Sequence, residues 1–299
     1  MNLKLSKIGV IGVPYNTGSK GLGLDKGAEA LRKAGIVDEL KRLDSEVTDF
    51  GNIKVRLPPP DTSNPKLLNP KQVDALCKSL ADKIQNITTS GYLPFIIGGE
   101  DSTLMGIIEG LRRNLGPQIG MVYMDAHGDF NTPETTPSGI IGGMDVAITT
   151  GRGAKELVEM FGLSPLLPEE NVVLYGVRDL DELEEIALTN SRVHVYTREK
   201  IKEQGAEQTA KDVLSYLESK CEHLYVHVDL DVLDESVVSA HGLPVPDGLT
   251  KIEFQNTLKV LAKSPKLRGI AVMVFDAAKD PHGREAKKVV KLVIDALNA

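Results

Sequence analysis

The stretch PFIIGGEDSTLMG, residues 94–106, reads as a short apolar run, two glycines, two adjacent carboxylates and then a helical pattern. A continuous apolar run bounded by glycine fits a strand buried on both faces. In a strand–loop–helix unit of this kind, ligands gather beyond the C-terminal ends of the strands. Glu100 and Asp101 stand at that position. They could bind a cation, perform acid–base work or cap the following helix.

The same unit recurs along the chain. Short Val- and Ile-rich runs are KIGVIGVP (from Lys7), a piece near SEVTDFG (45–51), YLPFIIGG (from Tyr92), IGMVYMDAH (from Ile119), NVVLYGVR (from Asn171), VHVY (from Val193), HLYVHVDLD (from His223) and RGIAVMVFD (from Arg268). Between them, apolar residues repeat at three and four in GAEALRKAGIVDELKRL (27–43), PKQVDALCKSLADKIQNI (70–87), STLMGIIEGLRRNL (102–115), GAEQTAKDVLSYLESK (205–220), TKIEFQNTLKVLAKS (250–264) and REAKKVVKLVIDAL (284–297). About eight apolar strands alternating with helices imply an α/β fold with a parallel sheet covered on both faces. The alternation alone fits a closed barrel and an open doubly wound sheet equally. VRLPPPDTSNPKLLNPKQ (55–72) is rich in Pro, Asn and Ser, but it joins one strand region to one helix, so it reads as an excursion loop. One domain is expected over residues 1–299.

Composition narrows the function class. With 35 Lys and Arg against 42 Asp and Glu, the formal net charge is -7. Phosphate binding needs clustered cations, so a nucleic-acid partner is not favoured. The acidic excess suits solubility, a cation or a cationic substrate. Two cysteines, Cys77 and Cys221, suggest neither a disulfide framework nor a thiolate metal site, and a reducing cytoplasm is the natural compartment. The apolar run at the N-terminus is too short for a signal peptide, and no stretch approaches the ~20 apolar residues of a membrane span.

Polar groups gather at the strand ends. In MVYMDAHGDFNTPETTPSG (121–139), Asp125, His127 and Asp129 stand at alternate positions, which in extended chain face the same way. In YVHVDLDVLDE (225–235), Asp229 and Asp231 alternate again, and His227 shares their parity. One D-x-D alone would as readily cap a helix. Five oxygen and nitrogen donors from two strand ends are more than one cation needs, and carboxylates bridging two ions would lower the pKa of a bound water. Carboxylate and imidazole without thiolate favour manganese or a similar divalent ion.

In these segments the chain resembles the arginase, or ureohydrolase, family. GVIGVPYNTGSKGLGLDKGAEALRKAG (9–35) is similar to the family's opening, and GGEDS (98–102) occupies its G-G-D-H-S position. DAHGDFNTPETTPSG (125–139), GVRDLDELE (176–184) and DLDVLD (229–234) resemble its D-A-H-x-D-x-N-T-P, G-x-R-D-x-D-x-x-E and D-x-D-x-x-D segments. The resemblance implies an open three-layer α-β-α fold with an eight-stranded, mostly parallel sheet. It implies two manganese ions whose bridging hydroxide attacks a guanidinium carbon, releasing urea and an amine. By position, Asp101, Asp125, His127, Asp129, Asp229 and Asp231 would be metal ligands, and Asp129 would also act in catalysis by orienting the hydroxide. Asn131, Ser138, Asp181 and Glu184 match groups that hold the amino-acid end of arginine. The implied partners are a small guanidino or amidino substrate and further copies of the same chain, as a trimer or hexamer.

Four departures bear on chemistry. Asp101 replaces a histidine ligand. Gly142, in SGIIGGM (138–144), stands where the family places a proton-shuttling histidine. Val274 takes the position of a guanidinium-binding glutamate, with Asp276 two places on and on the same side of an extended chain. Leu243 replaces a polar contact. An unpaired buried cation is costly, so these changes point to a modified substrate, such as an N-substituted or less basic guanidine, amidine or ureido compound. They equally describe a homologue that has lost catalysis and is kept for binding or as a non-catalytic subunit. His241 reads as a surface loop histidine, with a replacement for the missing proton shuttle as the alternative, and His227 reads as a partner lying behind the aspartates.

Overall fold

The computed structural model describes residues 7–17, 23–43 and 45–298. Part of the glycine-rich loop in the opening segment, residues 18–22, lies outside them. The eight strands are β1 (Lys7–Gly12), β2 (Glu46–Asn52), β3 (Leu93–Ile97), β4 (Ile119–Met124), β5 (Val172–Val177), β6 (His194–Thr197), β7 (His223–Asp229) and β8 (Leu267–Met273). They form one sheet in the order β2-β1-β3-β8-β7-β4-β5-β6, and every pairing is parallel. The sheet has two edges, β2 and β6, so it is open, and the barrel alternative is excluded.

Period-two alternation distributes the apolar runs between two cores. Phe95 and Ile97 of β3 join one, with helices Gly27–Lys33, Ile36–Lys41, Ala206–Lys220, Lys251–Ala262 and Arg284–Leu297. Ile96 joins the other, with helices Pro70–Thr89 and Leu104–Leu115. Strands covered on both sides must be apolar at every position, which is why the central ones read as unbroken runs. The edge strands β2 and β6 lack fully buried residues, matching their weaker sequence signal.

One helix expectation is corrected. The pattern over 27–43 is two helices, Gly27–Lys33 and Ile36–Lys41, parted at Gly35, whose φ of 97° interrupts right-handed helix. The apolar period survives the break because both pieces pack on the same core.

The chain leaves β3 and next enters the sheet at β4, three places away, and β8 and β7 later fill the gap. Such reversals open a crevice at the C-terminal strand ends. The loops following β3, β4, β5, β7 and β8 meet there.

Candidate active site

The glycine pair of GGEDS sets the first wall. Gly98 and Gly99 have φ of 73° and 81°. A Cβ on Gly98 would lie 2.2 Å from the Ala28 nitrogen, and one on Gly99 would lie 2.4 Å from the Val13 oxygen. Only glycine permits this backbone and this approach. Glu100, buried behind the turn, accepts from the Thr17 N–H (2.7 Å) and hydroxyl and from the Ser102 hydroxyl (2.9 Å). It ties three pieces of loop together, while Asp101 faces the crevice and lines its cavity.

The second wall is the loop after β4. The strand ends at Met124, and Asp129 adopts a left-handed φ of 47°, so 125–129 is not extended chain. Asp125 and His127 therefore meet through a tight turn rather than strand alternation. The His127 N–H donates to Asp125 Oδ1 at 2.6 Å, and His127 Nδ1 lies 3.2 Å from the same oxygen. The loop after β7 is also not extended beyond Asp229: Asp231 sits in a single 3-10 turn, and its N–H donates to Asp229 Oδ1 at 2.7 Å. Asp231 Oδ1 accepts from the Ala126 N–H at 3.1 Å, and its Oδ2 lies 3.1 Å from His127 Nδ1.

Two donor groups result. Asp125, His127 and Asp231 place ligand atoms within 4.8 Å of one another, and so do Asp101, Asp125 and Asp229. Asp125 belongs to both. Burial, and then the charge of a neighbouring aspartate, raises the carboxyls of Asp125, Asp129 and Asp229 above the usual range. Burial would raise Asp231 too, but the hydrogen bond and charge of His127 hold it lower. Burial would lower His127, and its hydrogen bonds to Asp125 and Asp231 instead raise it. Asp125 Oδ2 is buried with no hydrogen-bond partner. Crowded acids that repel one another and an unmet carboxylate oxygen fit a divalent cation.

Asp101, His127, Asp229 and Asp231 line a cavity of about 550 Å³ that also receives Asp129, Asn131, Ser138, Asp181 and Glu184. Asn131 Nδ2 donates to Asp181 Oδ2 at 2.9 Å. Ser138 Oγ accepts from the Ile140 N–H, leaving its own hydrogen to donate. Glu184 differs from the rest: Oε1 accepts from the Phe130 N–H (2.7 Å) and Oε2 from the Asp181 N–H (3.2 Å), completing a capping box. Both oxygens are engaged by backbone.

The cavity is lined as well by Leu24, Gly142, Leu243, Val274, Asp276 and Lys279. Val274 has a φ of 60°, a left-handed conformation that β-branched residues rarely adopt. The chain there is not extended, so Asp276 reaches the cavity by a turn and not by shared parity with Val274. His241 is fully buried, which corrects the expectation of a surface histidine; its strand-like bridge to Phe275 pulls the loop inward. Both its ring nitrogens lack hydrogen-bond partners, and burial lowers its pKa.

Sequence reasoning passed over several residues here. Tyr123 donates to Asp129 Oδ2 at 2.7 Å and lies 3.3 Å from the buried Asp145. Arg178 donates to the carbonyls of Asp231 (2.7 Å), Pro246 and Val245 (both 3.0 Å), joining the loop after β5 to the loop carrying the D-x-D. Tyr123 reads as a core aromatic because its hydroxyl partners are remote in sequence. Arg178 does lie within GVRDLDELE, and that motif was its only signal.

No helix among the described residues is long and apolar enough to cross a membrane. A family model, the arginase family, matches residues 6–298. An arginase of Bacillus caldovelox is 31% identical over 293 residues, covering 97% of each chain, and an arginase of Bacillus subtilis (strain 168) is 32% identical over 286 residues, covering 96% of each. The crystal structure of an arginase from Bacillus cereus superposes with a TM-score of 0.90 at 32% identity over 98% of both chains. A formimidoylglutamase structure from Bacillus subtilis shares the fold at 20% identity, with a TM-score of 0.77. With its all-parallel eight-stranded sheet and its Asp/His donor groups at the strand ends, this chain belongs to the arginase family.

Proposed function

We propose that this protein hydrolyses a linear C–N bond in a guanidino or amidino derivative of an amino acid, using two manganese ions. The observation that carries the reading is the convergence of Asp101, Asp125, His127, Asp229 and Asp231, four of which line a cavity that Asn131, Ser138 and Asp181 also line. Asp101, Asp125 and Asp229 would hold one ion, and Asp125, His127 and Asp231 the other, with Asp129 beside them. When bound, such a pair makes water nucleophilic near neutral pH and polarises the carbon under attack.

Asp129 is assigned to orienting that water and taking its proton. Tyr123 fixes its Oδ2, leaving Oδ1 for the water. Burial and the charge of Asp125 raise its basicity for the task. Asn131 and Ser138 supply donors for a substrate carboxylate, and the exposed Asp181 supplies an acceptor for an ammonium group. By the family resemblance the reactive end would meet Val274 and Leu243 in place of a glutamate and a polar contact, and Asp276 and Lys279 also line the cavity, so a guanidinium would have at most one carboxylate, from a different position, to face. An N-substituted or less basic group fits it better.

The test is manganese stoichiometry together with turnover of arginine, N-hydroxyarginine, agmatine, guanidinobutyrate and formiminoglutamate. Tight manganese binding with preferred turnover of a modified substrate is expected; neither metal nor turnover would overturn the proposal. The replacement of expected polar groups by Gly142, Leu243 and Val274 also supports a second reading, a homologue kept for binding or assembly. On that reading the parent is inert and Asp101→His with Val274→Glu creates activity. The resemblance further suggests a homo-oligomer, measurable by light scattering on the purified chain. Both cysteines are buried and unpaired, which is in keeping with a reducing cytoplasm.

A further inference from the structure

His227 lies on β7 and Asp101 follows β3, two strands away across β8. The register aligns Tyr123, His227, Ala271 and Ile96 in one row across four strands. Ala271 offers only a methyl, which leaves room for the imidazole to pass over β8 toward Asp101. His227 Nε2 lies 2.7 Å from Asp101 Oδ1, and its Nδ1 lies 2.8 Å from the Tyr225 hydroxyl. Both rings are wholly buried. The Tyr123 ring stacks on the imidazole at 4.6 Å, with 15° between planes.

Hydrogen-bond logic settles the proton positions. The Asp101 carboxylate can only accept, so it draws the ring's N–H to Nε2 and leaves Nδ1 to accept from the Tyr225 hydroxyl. Nε2 then carries the ring's N–H and donates to the carboxylate. One oxygen of Asp101 is thereby engaged and its rotation is stopped, while the carboxylate stays grouped with Asp125 and Asp229. The histidine expected at position 101 is replaced by a carboxylate, and an imidazole stands directly behind that carboxylate.

We propose that His227, locked by Tyr225, is a positioning residue that orients Asp101 as a carboxylate ligand of one of the two cation positions. The inference rests on the metal-site reading above. Partners of this kind, touching a ligand and not the ion, typically change metal affinity by about 10–100-fold when removed.

The experiment is manganese(II) titration of the full chain by calorimetry and electron paramagnetic resonance, for the parent, His227→Leu, His227→Gln and Tyr225→Phe. The parent measurement separates the two claims: a parent that binds no manganese, or only one ion, overturns the two-ion reading itself. Given two bound ions in the parent, His227→Leu is expected to weaken one site by about 10–100-fold and to abolish the spin-coupled signal of the ion pair at low metal. The other site should change little. His227→Gln, whose amide can still donate to Asp101, should recover part of the loss. If His227→Leu does not fold, Tyr225→Phe decides, since it removes one oxygen only: selective weakening of one site supports the assignment. Two sites of unchanged affinity in folded His227→Leu, or in Tyr225→Phe where His227→Leu fails to fold, overturn it. So does equal weakening of both sites.

Discussion

Glu184 distinguishes a substrate contact from a structural brace. Its carboxylate accepts from the Phe130 and Asp181 N–H groups, 54 and three positions away in sequence. Glu184→Ala would leave the Phe130 amide unmet beside a buried side chain, which costs about 1–3 kcal/mol. It would also remove the reciprocal half of a capping box, worth roughly 1 kcal/mol. The expected loss is about 2–4 kcal/mol. An unfolding entropy of about 2.1 cal/mol/K per residue, over 299 residues, makes that a fall in Tm of roughly 3–6 °C. Phe130 follows Asp129 directly, so metal affinity should fall as well. Glu184→Gln keeps one acceptor but turns an NH2 toward the other N–H, and should lose about half as much. The assays are calorimetric melting, manganese titration and steady-state kinetics on the same preparations. An unchanged Tm and metal affinity with only KM raised would refute the reasoning and return Glu184 to the substrate contacts.

Three other outcomes are expected. Val274→Glu places a carboxylate where the family resemblance expects the guanidinium and removes a β-branch from a left-handed residue; kcat/KM for arginine should rise by roughly 30–150-fold, the worth of about 2–3 kcal/mol of buried charge pairing, and no rise would count against that assignment of Val274. Chelation should lower Tm, and manganese restored at about 100 times its Kd should return roughly 2.7 kcal/mol per site; a melting curve indifferent to metal would remove the case for the ion pair. Burial would raise Glu253, but its hydrogen bonds from buried Arg198, at 2.8 and 3.0 Å, hold its pKa below 4.5 in the fold. The stability it contributes is therefore present above the ordinary carboxylate range and lost as pH falls through the lowered value. Urea titrations of the parent and Glu253→Gln should differ at pH 7 and converge in acid.

The sequence by itself determined the alternation of eight apolar runs with amphipathic helices, because burial on both faces of a parallel sheet leaves its mark at every strand position. It also placed Asp101, Asp125, His127, Asp229 and Asp231 at strand ends, since a charged residue closing an apolar run has few other places to go. The barrel-or-sheet choice was not legible, because both alternate in the same way and differ in strand order and closure, which rest on pairings between strands remote in sequence. Nor was the reason the aspartates converge. Alternation in extended chain suggested it, yet the turns at Asp129 and Asp231 accomplish it, and a backbone sign change leaves no trace in composition. Only tertiary structure decided that His241 is buried, that Glu184 spends both oxygens on backbone, and that His227 reaches Asp101 across β8. Each depends on at least one partner tens of positions away in sequence, and pairwise distance in space is the quantity that a linear pattern of residue types does not carry.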